Sequence, residues 1–258
     1  MDLEHLKRVA LAAALRGAEI LRSRFGRILQ VDKKGATDLV TEADTASERA
    51  IITTIRTAFP DHAILAEESG MNAGTADYQW FIDPLDGTTN FAHGVSIFAI
   101  SIALAIQEKP VLGIVLSPMT GELFSARAGL GAERNGRAIR VSNTTRVSES
   151  LLGTGFPYNL RAHPHRIVTR FERCLQAAQG VRRLGSAALD LCYVACGKFD
   201  GYWEEDLKPW DTAAGALIVA ESGGLVTTFA DQPFSVDQKE VLATNGEIHQ
   251  EMFTLLAL

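Results

Sequence analysis

The sequence predicts a layered α/β protein, and two patterns lead to this fold class. In the second half of the chain, short apolar segments typical of strands alternate with longer helical segments. Between residues 95 and 141, several β-type segments are separated by turn residues such as Asn135-Gly136, a strong hairpin signal. Because strands that alternate with helices usually form sheets covered by helices, we expect stacked layers of helix and sheet.

Two helices are predicted at the start of the chain. From Leu3 to Ile20, apolar residues recur at near-helical spacing, which is typical of an amphipathic helix. A second helix is expected to begin at Thr45 and Glu48, which have the spacing of a capping box, and to stop near Pro60. We therefore expect the stretch before Thr45 to be a loop.

Strands are predicted after these helices. Apolar runs at residues 64–66 and 78–82 lead directly into the carboxylates Glu67 and Asp83. In the second half, the strand-type segments are LLGTGF, VRRLG, FDGYWE, GLVTTF and VLATN, and the helical runs cover residues 161–179, 186–196, 210–221 and 246–255. No linker separates the halves, so we place the boundary of two joined units, residues 1–145 and 146–258, near residue 145.

The composition limits the classes of function. The 258 residues carry 25 Lys and Arg against 31 Asp and Glu, so a nucleic-acid partner is not expected. The longest apolar stretch, residues 95–106, is shorter than the ~18–20 residues that cross a bilayer, and the N-terminus lacks the order of a secretory signal. Three cysteines without a CxxC pair favour free thiols, so we expect a cytoplasmic protein without a membrane partner.

The most informative segment for chemistry is WFIDPLDGTTNF, at residues 80–91. Asp83 and Asp86 flank a turn fixed by Pro84, so both carboxylates and the Leu85 carbonyl can converge on a hard cation. Gly87 lets an anion approach the backbone, and the amide groups after it can donate to a phosphate. Asp-Pro and Asp-Gly are also common turn dipeptides, and either alone would be structural more often than not.

Two further acidic positions match the oxygen ligands that Mg²⁺ prefers. Glu67 follows a predicted strand, and Asp211 stands at the start of a predicted helix. Taken singly, Glu67 reads as a solvated loop residue and Asp211 as a helix-capping carboxylate. His93, close to the central segment, is expected to be a structural loop residue because metal chemistry already supplies a base.

Four segments together resemble the inositol monophosphatases of the lithium-sensitive, magnesium-dependent phosphatase superfamily. They are DLVTEAD at residues 38–44, AEES at 66–69, WFIDPLDGTTNF at 80–91 and WDTAAGALIVAESGG at 210–224, in the family's order and spacing. The resemblance covers nearly the whole chain. It implies alternating α-β-α-β-α layers of the sugar-phosphatase type and a homodimer.

The resemblance also implies a magnesium site with two or three ions. Glu67, Asp83 and the Leu85 carbonyl would hold the first ion, and Asp83, Asp86 and Asp211 the second. A third, weaker ion would contact Glu67 and water.

The catalytic residues follow from the same resemblance. Glu67 and Thr88 would orient and deprotonate the attacking water, and Asp44 would orient the Thr88 hydroxyl. A family lysine lies upstream of DLVTEAD, where Lys33 and Lys34 are adjacent; we favour Lys34.

Substrate contacts are expected at both ends of the site. Glu204 and the backbone at Ala187 would bind ring hydroxyls together with Asp86, and Arg182 corresponds by spacing to an arginine near the site. The residues assigned to substrate binding are Asp86, Gly87, Thr88, Gly185, Ala187, Glu204 and Asp211, with Lys34 and Arg182 as further candidates.

The expected function is therefore Mg²⁺-dependent, Li⁺-sensitive hydrolysis of a small-molecule phosphate monoester, myo-inositol 1-phosphate, to myo-inositol and phosphate. Two alternatives stay open. One is a broader sugar phosphatase, such as a fructose-1,6-bisphosphatase, since the metal core is shared. The other is a regulatory or RNA-associated relative with demoted catalysis, although every expected metal ligand is present.

Overall fold

Helices and strands make up most of the chain in the computed structural model, which describes residues 2–27, 31–33, 39–72, 74–157, 160 and 164–258. The α-helices are α1 Leu3–Arg24, α2 Glu42–Ala58, α3 Thr88–Ala92, α4 Pro164–Ala177, α5 Ala187–Ala195, α6 Pro209–Glu221 and α7 His249–Leu256. The strands of the first half are β1 Val31–Lys33, β2 Leu39–Thr41, β3 His62–Ala66, β4 Gly70–Asn72, β5 Thr75–Asp86, β6 Ala99–Ile106, β7 Lys109–Leu116, β8 Leu123–Arg127, β9 Ala132–Arg134 and β10 Arg137–Ala138. Those of the second half are β11 Leu151–Thr154, β12 Gly180–Arg182, β13 Gly201–Glu205, β14 Leu225–Thr227 and β15 Glu240–Thr244.

The first half of the chain forms a large sheet of eight strands in the order β10-β9-β8-β7-β6-β5-β3-β4. Neighbouring strands are antiparallel except β3 and β5, which run parallel. The predicted β-meander is present as the run from β6 to β10, and Asn135-Gly136 forms its last turn with both residues at positive φ. A separate pair, β1 and β2, lies outside this sheet.

The second half forms a five-stranded mixed sheet in the order β12-β11-β13-β15-β14. Strands β12, β11 and β13 are parallel, and their connections run through α4 and α5. Strands β13, β15 and β14 are antiparallel. The predicted alternation of strands and helices in this half is confirmed.

Three apolar clusters hold the layers together. The first lies between the large sheet and α1 with α2, and includes Trp80, Ile82 and Ile100. The second surrounds α5 and α6, which lie between the two sheets. The third covers the other face of the small sheet, beneath α4 and α7. This arrangement is the α-β-α-β-α stack that was expected.

The start of α2 differs from the prediction. The helix begins at Glu42, and Thr41 with Asp44 forms the capping box, whereas Thr45 and Glu48 lie inside the helix. Both pairs have the required spacing, but the Asp44 carboxylate accepts from the backbone and the hydroxyl of Thr41 at 2.8 and 2.5 Å. The helix therefore starts one turn earlier, and Glu48 is available for another contact.

The helices and the cysteines bear on membranes and disulfides. Of the helices within the described ranges, none has the length and hydropathy to cross a bilayer. All three cysteines lie in the described part of the chain and are free thiols, with Cys174 and Cys192 buried.

Candidate active site

A cavity of about 260 Å³ opens where the ends of β3, β5 and β13 meet the first turns of α3, α5 and α6. Two basic side chains, Arg183 and Lys208, line it. The acidic side chains around it are Glu67, Asp83, Asp86, Glu204, Glu205, Asp206 and Asp211. Both halves of the chain therefore contribute to one strongly acidic cavity.

The end of β5 places two carboxylates on this cavity. The pairing of β5 with β6 shifts register between Asp83 and Asp86, which frees the turn that contains Pro84 from the regular ladder. The Asp83 carboxylate accepts a hydrogen bond from the Leu85 amide at 2.9 Å. Helix α2 also supports the turn, because the Ser47 hydroxyl donates to the Pro84 carbonyl at 3.1 Å.

The next residue, Gly87, must be glycine for two reasons. Its φ is +100°, a left-handed conformation that side chains disfavour. A Cβ at this position would also lie 3.0 Å from the Ile97 carbonyl and 3.1 Å from the Gly185 carbonyl. The chain can therefore turn into α3 and place the amides of Gly87 and Thr88 beside the cavity.

Two groups, a carboxylate on α2 and a carbonyl at the end of β5, hold the Thr88 hydroxyl. It lies 3.0 Å from a carboxylate oxygen of Asp44 and 3.0 Å from the Leu85 carbonyl. Asp44 is fully buried, and burial raises its pKa although the hydrogen bonds from Thr41 and Thr88 oppose the shift. The contact expected between Asp44 and Thr88 is thus present in the structure.

Asp86 connects the two halves of the chain. Its carboxylate accepts hydrogen bonds from the Ser186 hydroxyl at 2.6 Å, the Ala188 amide at 2.8 Å and the Ala187 amide at 3.3 Å. These donors form the N-terminal turn of α5, so one metal-ligand candidate also caps a helix more than one hundred residues away. Asp86 therefore fixes the distance between the two sides of the cavity.

Asp211 enters the cavity from the first turn of α6. Pro209 occupies the first position of that helix, and the Asp211 carboxylate accepts from the Lys208 amide at 2.7 Å. The helix-capping role that the sequence offered as an alternative is therefore real. It does not exclude a ligand role, because the same side chain lines the cavity.

Glu67 reaches the cavity from the turn after β3, and Glu48 on α2 holds this turn. The two carboxylate oxygens of Glu48 accept from the amides of Glu68 and Ser69 at 2.8 and 3.0 Å. The Glu67 amide donates to the Ile82 carbonyl at 3.1 Å. The capping-box prediction assigned Glu48 another role and so missed this one, for which the sequence contains no local signal.

The electrostatics of the acidic group favour a cation. Burial raises the pKa of Asp83 well above its ordinary value, and the nearby Glu67, Asp86 and Asp211 carboxylates raise it further. Burial likewise raises the pKa of Asp211, and that of Asp86 to about 6 against the hydrogen bonds from α5. A bound cation would relieve both the repulsion and the loss of hydration.

The donor set fits Mg²⁺. Within the described residues, no group of three Asp, Glu, His or Cys side chains is already arranged as a metal cluster. Asp83, Asp86 and Asp211 each direct an oxygen to a protein donor instead. Mg²⁺ keeps several waters and often takes only one or two carboxylates directly, so carboxylates that line one cavity with room for water suit it.

The opposite side of the cavity carries Glu204, on β13. Burial raises its pKa to about 7, while a hydrogen bond from the Tyr202 hydroxyl opposes the shift. Gly155 makes room for it, since a Cβ there would lie 2.0 Å from the Glu204 carboxylate. Gly185 and Ala187 line the same side, so the residues expected to contact a substrate are close together.

Asp190, on α5, is a buried acid that the sequence prediction did not consider. Neither of its carboxyl oxygens has a hydrogen-bond partner in the described part of the chain. Burial, together with the Glu204 and Asp86 carboxylates, raises its pKa well above the ordinary value. This environment favours the neutral form of Asp190 over the ionised form, because a buried unpaired charge is costly.

The two candidate arginines lie at different places. Arg182 is exposed and donates to the Val181 carbonyl at 3.1 Å, and it is not among the residues that line the cavity, so its expected contact with a substrate stays a prediction. Arg183 lines the cavity, with its guanidinium carbon 5.9 Å from the Phe156 ring centre. Strand β12 ends at Arg182, and the chain then turns towards the site. Lys34 lies outside the described residues, as does the side chain of Lys33.

The fold and this acidic cavity define a metal-dependent phosphatase, and comparison with known proteins gives the family. The model of the inositol monophosphatase family matches residues 2–257. The chain is 48% identical over 260 residues to an inositol-1-monophosphatase of Synechocystis sp., covering 99% of this chain and 90% of that protein. It is 41% identical over 261 residues to the Nus factor SuhB of Pseudomonas aeruginosa, covering 98% and 96%.

A solved structure agrees with these sequence matches. The structure of an inositol monophosphatase from Anabaena (Nostoc) sp. has a TM-score of 0.90 and 44% identity, covering 99% of this chain and 96% of that one. The chain belongs to the inositol monophosphatase family.

Proposed function

We propose that this protein is a Mg²⁺-dependent phosphomonoesterase that hydrolyses myo-inositol 1-phosphate to myo-inositol and phosphate. The observation that carries the proposal is the single cavity in which Asp83, Asp86 and Asp211 lie together with Glu204. A metal-dependent phosphatase needs oxygen ligands beside its reacting phosphate, and a polyol leaving group needs acceptors for its hydroxyls. The family membership supports the same reading.

Two or three Mg²⁺ ions are proposed for each site. Glu67, Asp83 and the Leu85 carbonyl are assigned to the first ion, and Asp86 and Asp211 join Asp83 at the second. A third ion would contact Glu67. When bound, the metal lowers the pKa of water and neutralises phosphoryl and leaving-group oxygens.

The chain's own residues orient the attacking water. The Thr88 hydroxyl donates its proton towards Asp44 or the Leu85 carbonyl, so its lone pairs are free to accept from a water molecule. Glu67 supplies a second acceptor on the cavity side. Thr88 and Glu67 together fix the direction of the water, and the Glu67 carboxylate accepts its proton, while Asp44 positions Thr88.

The substrate is proposed to lie across the cavity. Its phosphate faces the amides of Gly87 and Thr88, and its ring faces Gly185, Ala187 and Glu204. Asp86 and Asp211, between these two sides, accept from hydroxyls next to the ester. Carboxylates that accept from neighbouring hydroxyls suit a polyol. We assign the site arginine to Arg183, and Lys34 remains our candidate for the site lysine.

We further propose a cytoplasmic homodimer built from chains with two joined units. The last strand of the large sheet ends at Ala138 and the first strand of the small sheet starts at Leu151, which supports a boundary near residue 145. Light scattering during size exclusion tests the dimer, and a particle of one chain, 27.9 kDa, would contradict it.

A second candidate function is regulatory, and one observation favours it. The chain is 41% identical to a protein named as a Nus factor. The acidic net charge of −6 disfavours direct contact with RNA. In a regulatory role, the chain would therefore bind another protein.

Phosphate release tests the proposed function. Myo-inositol 1-phosphate and fructose 1,6-bisphosphate are compared with Mg²⁺, with EDTA, and with Mg²⁺ plus Li⁺. We expect Mg²⁺-dependent, Li⁺-sensitive release that favours the inositol ester. Equal or better release from the bisphosphate would indicate a general sugar phosphatase, and release from neither ester would favour the regulatory alternative.

A further inference from the structure

Asn90, the third residue of α3, links two segments that meet at the cavity without lining it itself. Its side-chain amide nitrogen donates to the Ile97 carbonyl at 2.8 Å and to the Leu184 carbonyl at 2.8 Å. Both hydrogens of the amide are therefore used. Ile97 precedes β6 in the first half of the chain, whereas Leu184 precedes α5 in the second half.

The segment at Leu184 is the turn between β12 and α5, and it carries the ring side of the cavity. Gly185 lies in this turn with a φ of +89°, and Ser186 then begins the group of donors to Asp86. The Gly185 carbonyl lies 3.1 Å from the position that a Cβ on Gly87 would occupy. The turn is thus packed against the glycine that we place beside the phosphate.

A shift of this turn would move the two sides of the cavity relative to each other. Asp86 holds the turn on its helical side, through Ser186 and the amides of α5. Asn90 holds it on the other side, through the Leu184 carbonyl. Two attachments at opposite ends fix the Gly185 backbone, whereas one would leave it free to pivot.

We propose that Asn90 is a positioning residue that sets the preference for polyol phosphates over esters whose alcohol does not reach the turn. This inference rests on the proposed function, because it assumes that the substrate ring lies at Gly185 and Ala187. The two hydrogens of the Asn90 amide serve both carbonyls. Aspartate has no hydrogen to donate, and the serine hydroxyl supplies a single one.

The experiment compares myo-inositol 1-phosphate with p-nitrophenyl phosphate, a flat ester without ring hydroxyls, in the Asn90→Ala and Asn90→Ser variants. For Asn90→Ala we expect KM for the inositol ester to rise about tenfold, the order expected when two hydrogen bonds that position a contact are lost. The kcat/KM for the aryl ester is expected to stay within about threefold. For Asn90→Ser we expect a KM for the inositol ester between those of Asn90→Ala and the unchanged protein, because serine keeps one donor hydrogen.

Asn135→Ala is the matched control. The Asn135 side chain also bonds a backbone group, accepting from the Leu123 amide at 2.8 Å, but it lies in a hairpin that does not line the cavity. We expect this variant to keep the substrate preference of the unchanged protein, whatever its melting temperature.

The outcomes separate the inference from the function on which it rests. If the unchanged protein shows no preference for the inositol ester, both are overturned. If it shows that preference and Asn90→Ala keeps it, or loses activity equally on both esters, the inference alone is overturned. Failure of both Asn90 variants to melt cooperatively would make Asn90 a folding requirement and would also overturn the positioning role.

Discussion

The two sides of the cavity are held in different ways. On the phosphate side, Asp83, Leu85 and Thr88 lie within six residues and bond one another. The side chains that support them, Asp44 and Ser47, both come from α2 in the same half of the chain. On the ring side, the hydrogen bonds that hold the turn at Gly185 span 94 to 102 residues, as between Asp86 and Ser186 and between Asn90 and Leu184. The comparison teaches that the geometry around the phosphate is built within one half of the chain, whereas substrate choice depends on how the two halves pack.

We therefore predict that changes at the metal-ligand candidates, Asp211 included, cost catalysis and that changes on the ring side cost selectivity. The largest effect is expected for Asp211→Asn, which removes one charged ligand candidate. We expect kcat to fall by about 10²–10³-fold, the size typical of losing an electrostatic contribution at the reacting centre. Steady-state phosphate release measures it, with Asp237→Asn, an exposed acid, as the matched control.

The same variant separates catalysis from stability. Because burial and neighbouring carboxylates raise the pKa of Asp211, its ionised form destabilises the metal-free fold. We expect Asp211→Asn to melt at or above the temperature of the unchanged protein in EDTA. A lower melting temperature would show that lost folding, rather than a lost ligand, explains lost activity.

A smaller effect is expected for Glu48→Gln. Glutamine keeps one oxygen, so only one of the Glu68 and Ser69 amides retains its acceptor, and the turn that carries Glu67 is held less firmly. We expect the Mg²⁺ concentration for half-maximal activity to rise about tenfold, as when a group that orients a ligand is lost. Calorimetric Mg²⁺ titration measures the same change without turnover.

Glu42→Gln, on the exposed side of the same helix, is the control for that prediction. Its Mg²⁺ dependence should match the unchanged protein. An unchanged Mg²⁺ dependence in Glu48→Gln would mean that the turn does not need this support.

The smallest effects are expected for the two adjacent arginines. Arg183 lines the cavity and Arg182 does not, so Arg183→Ala should raise KM for the inositol ester by about three- to tenfold, the effect of losing one polar contact. Arg182→Ala should leave KM within about twofold, as for most exposed substitutions. The reverse result would move the site arginine back to Arg182.

The sequence predicts features that depend on local patterns better than features that depend on how the two halves pack. The acidic ligand candidates could be found because each stands at the end of a predicted strand or at the start of a predicted helix, within a recognisable motif. Layer order followed from the alternation of elements and from the family resemblance. The start of α2 was misplaced because Thr41 and Thr45 both begin a capping-box spacing, and burial of Asp44 decides between them.

The residues that escaped prediction act through tertiary contacts. Glu48 and Asn90 bond backbone groups of segments that sequence spacing does not relate to them. Arg182 and Arg183 are identical in type, and only the end of β12 determines which one faces the cavity. Such choices depend on the packing of the two halves and carry no local signal.

A crystal structure with myo-inositol 1-phosphate and Ca²⁺, a cation that also takes oxygen ligands, tests the central claim most directly. The account predicts cations at Asp83, Asp86 and Asp211, the phosphate beside Gly87 and Thr88, and ring hydroxyls bonded to Glu204 and the Ala187 amide. Cations bound elsewhere, or a ring directed away from Glu204 and Ala187, would contradict it.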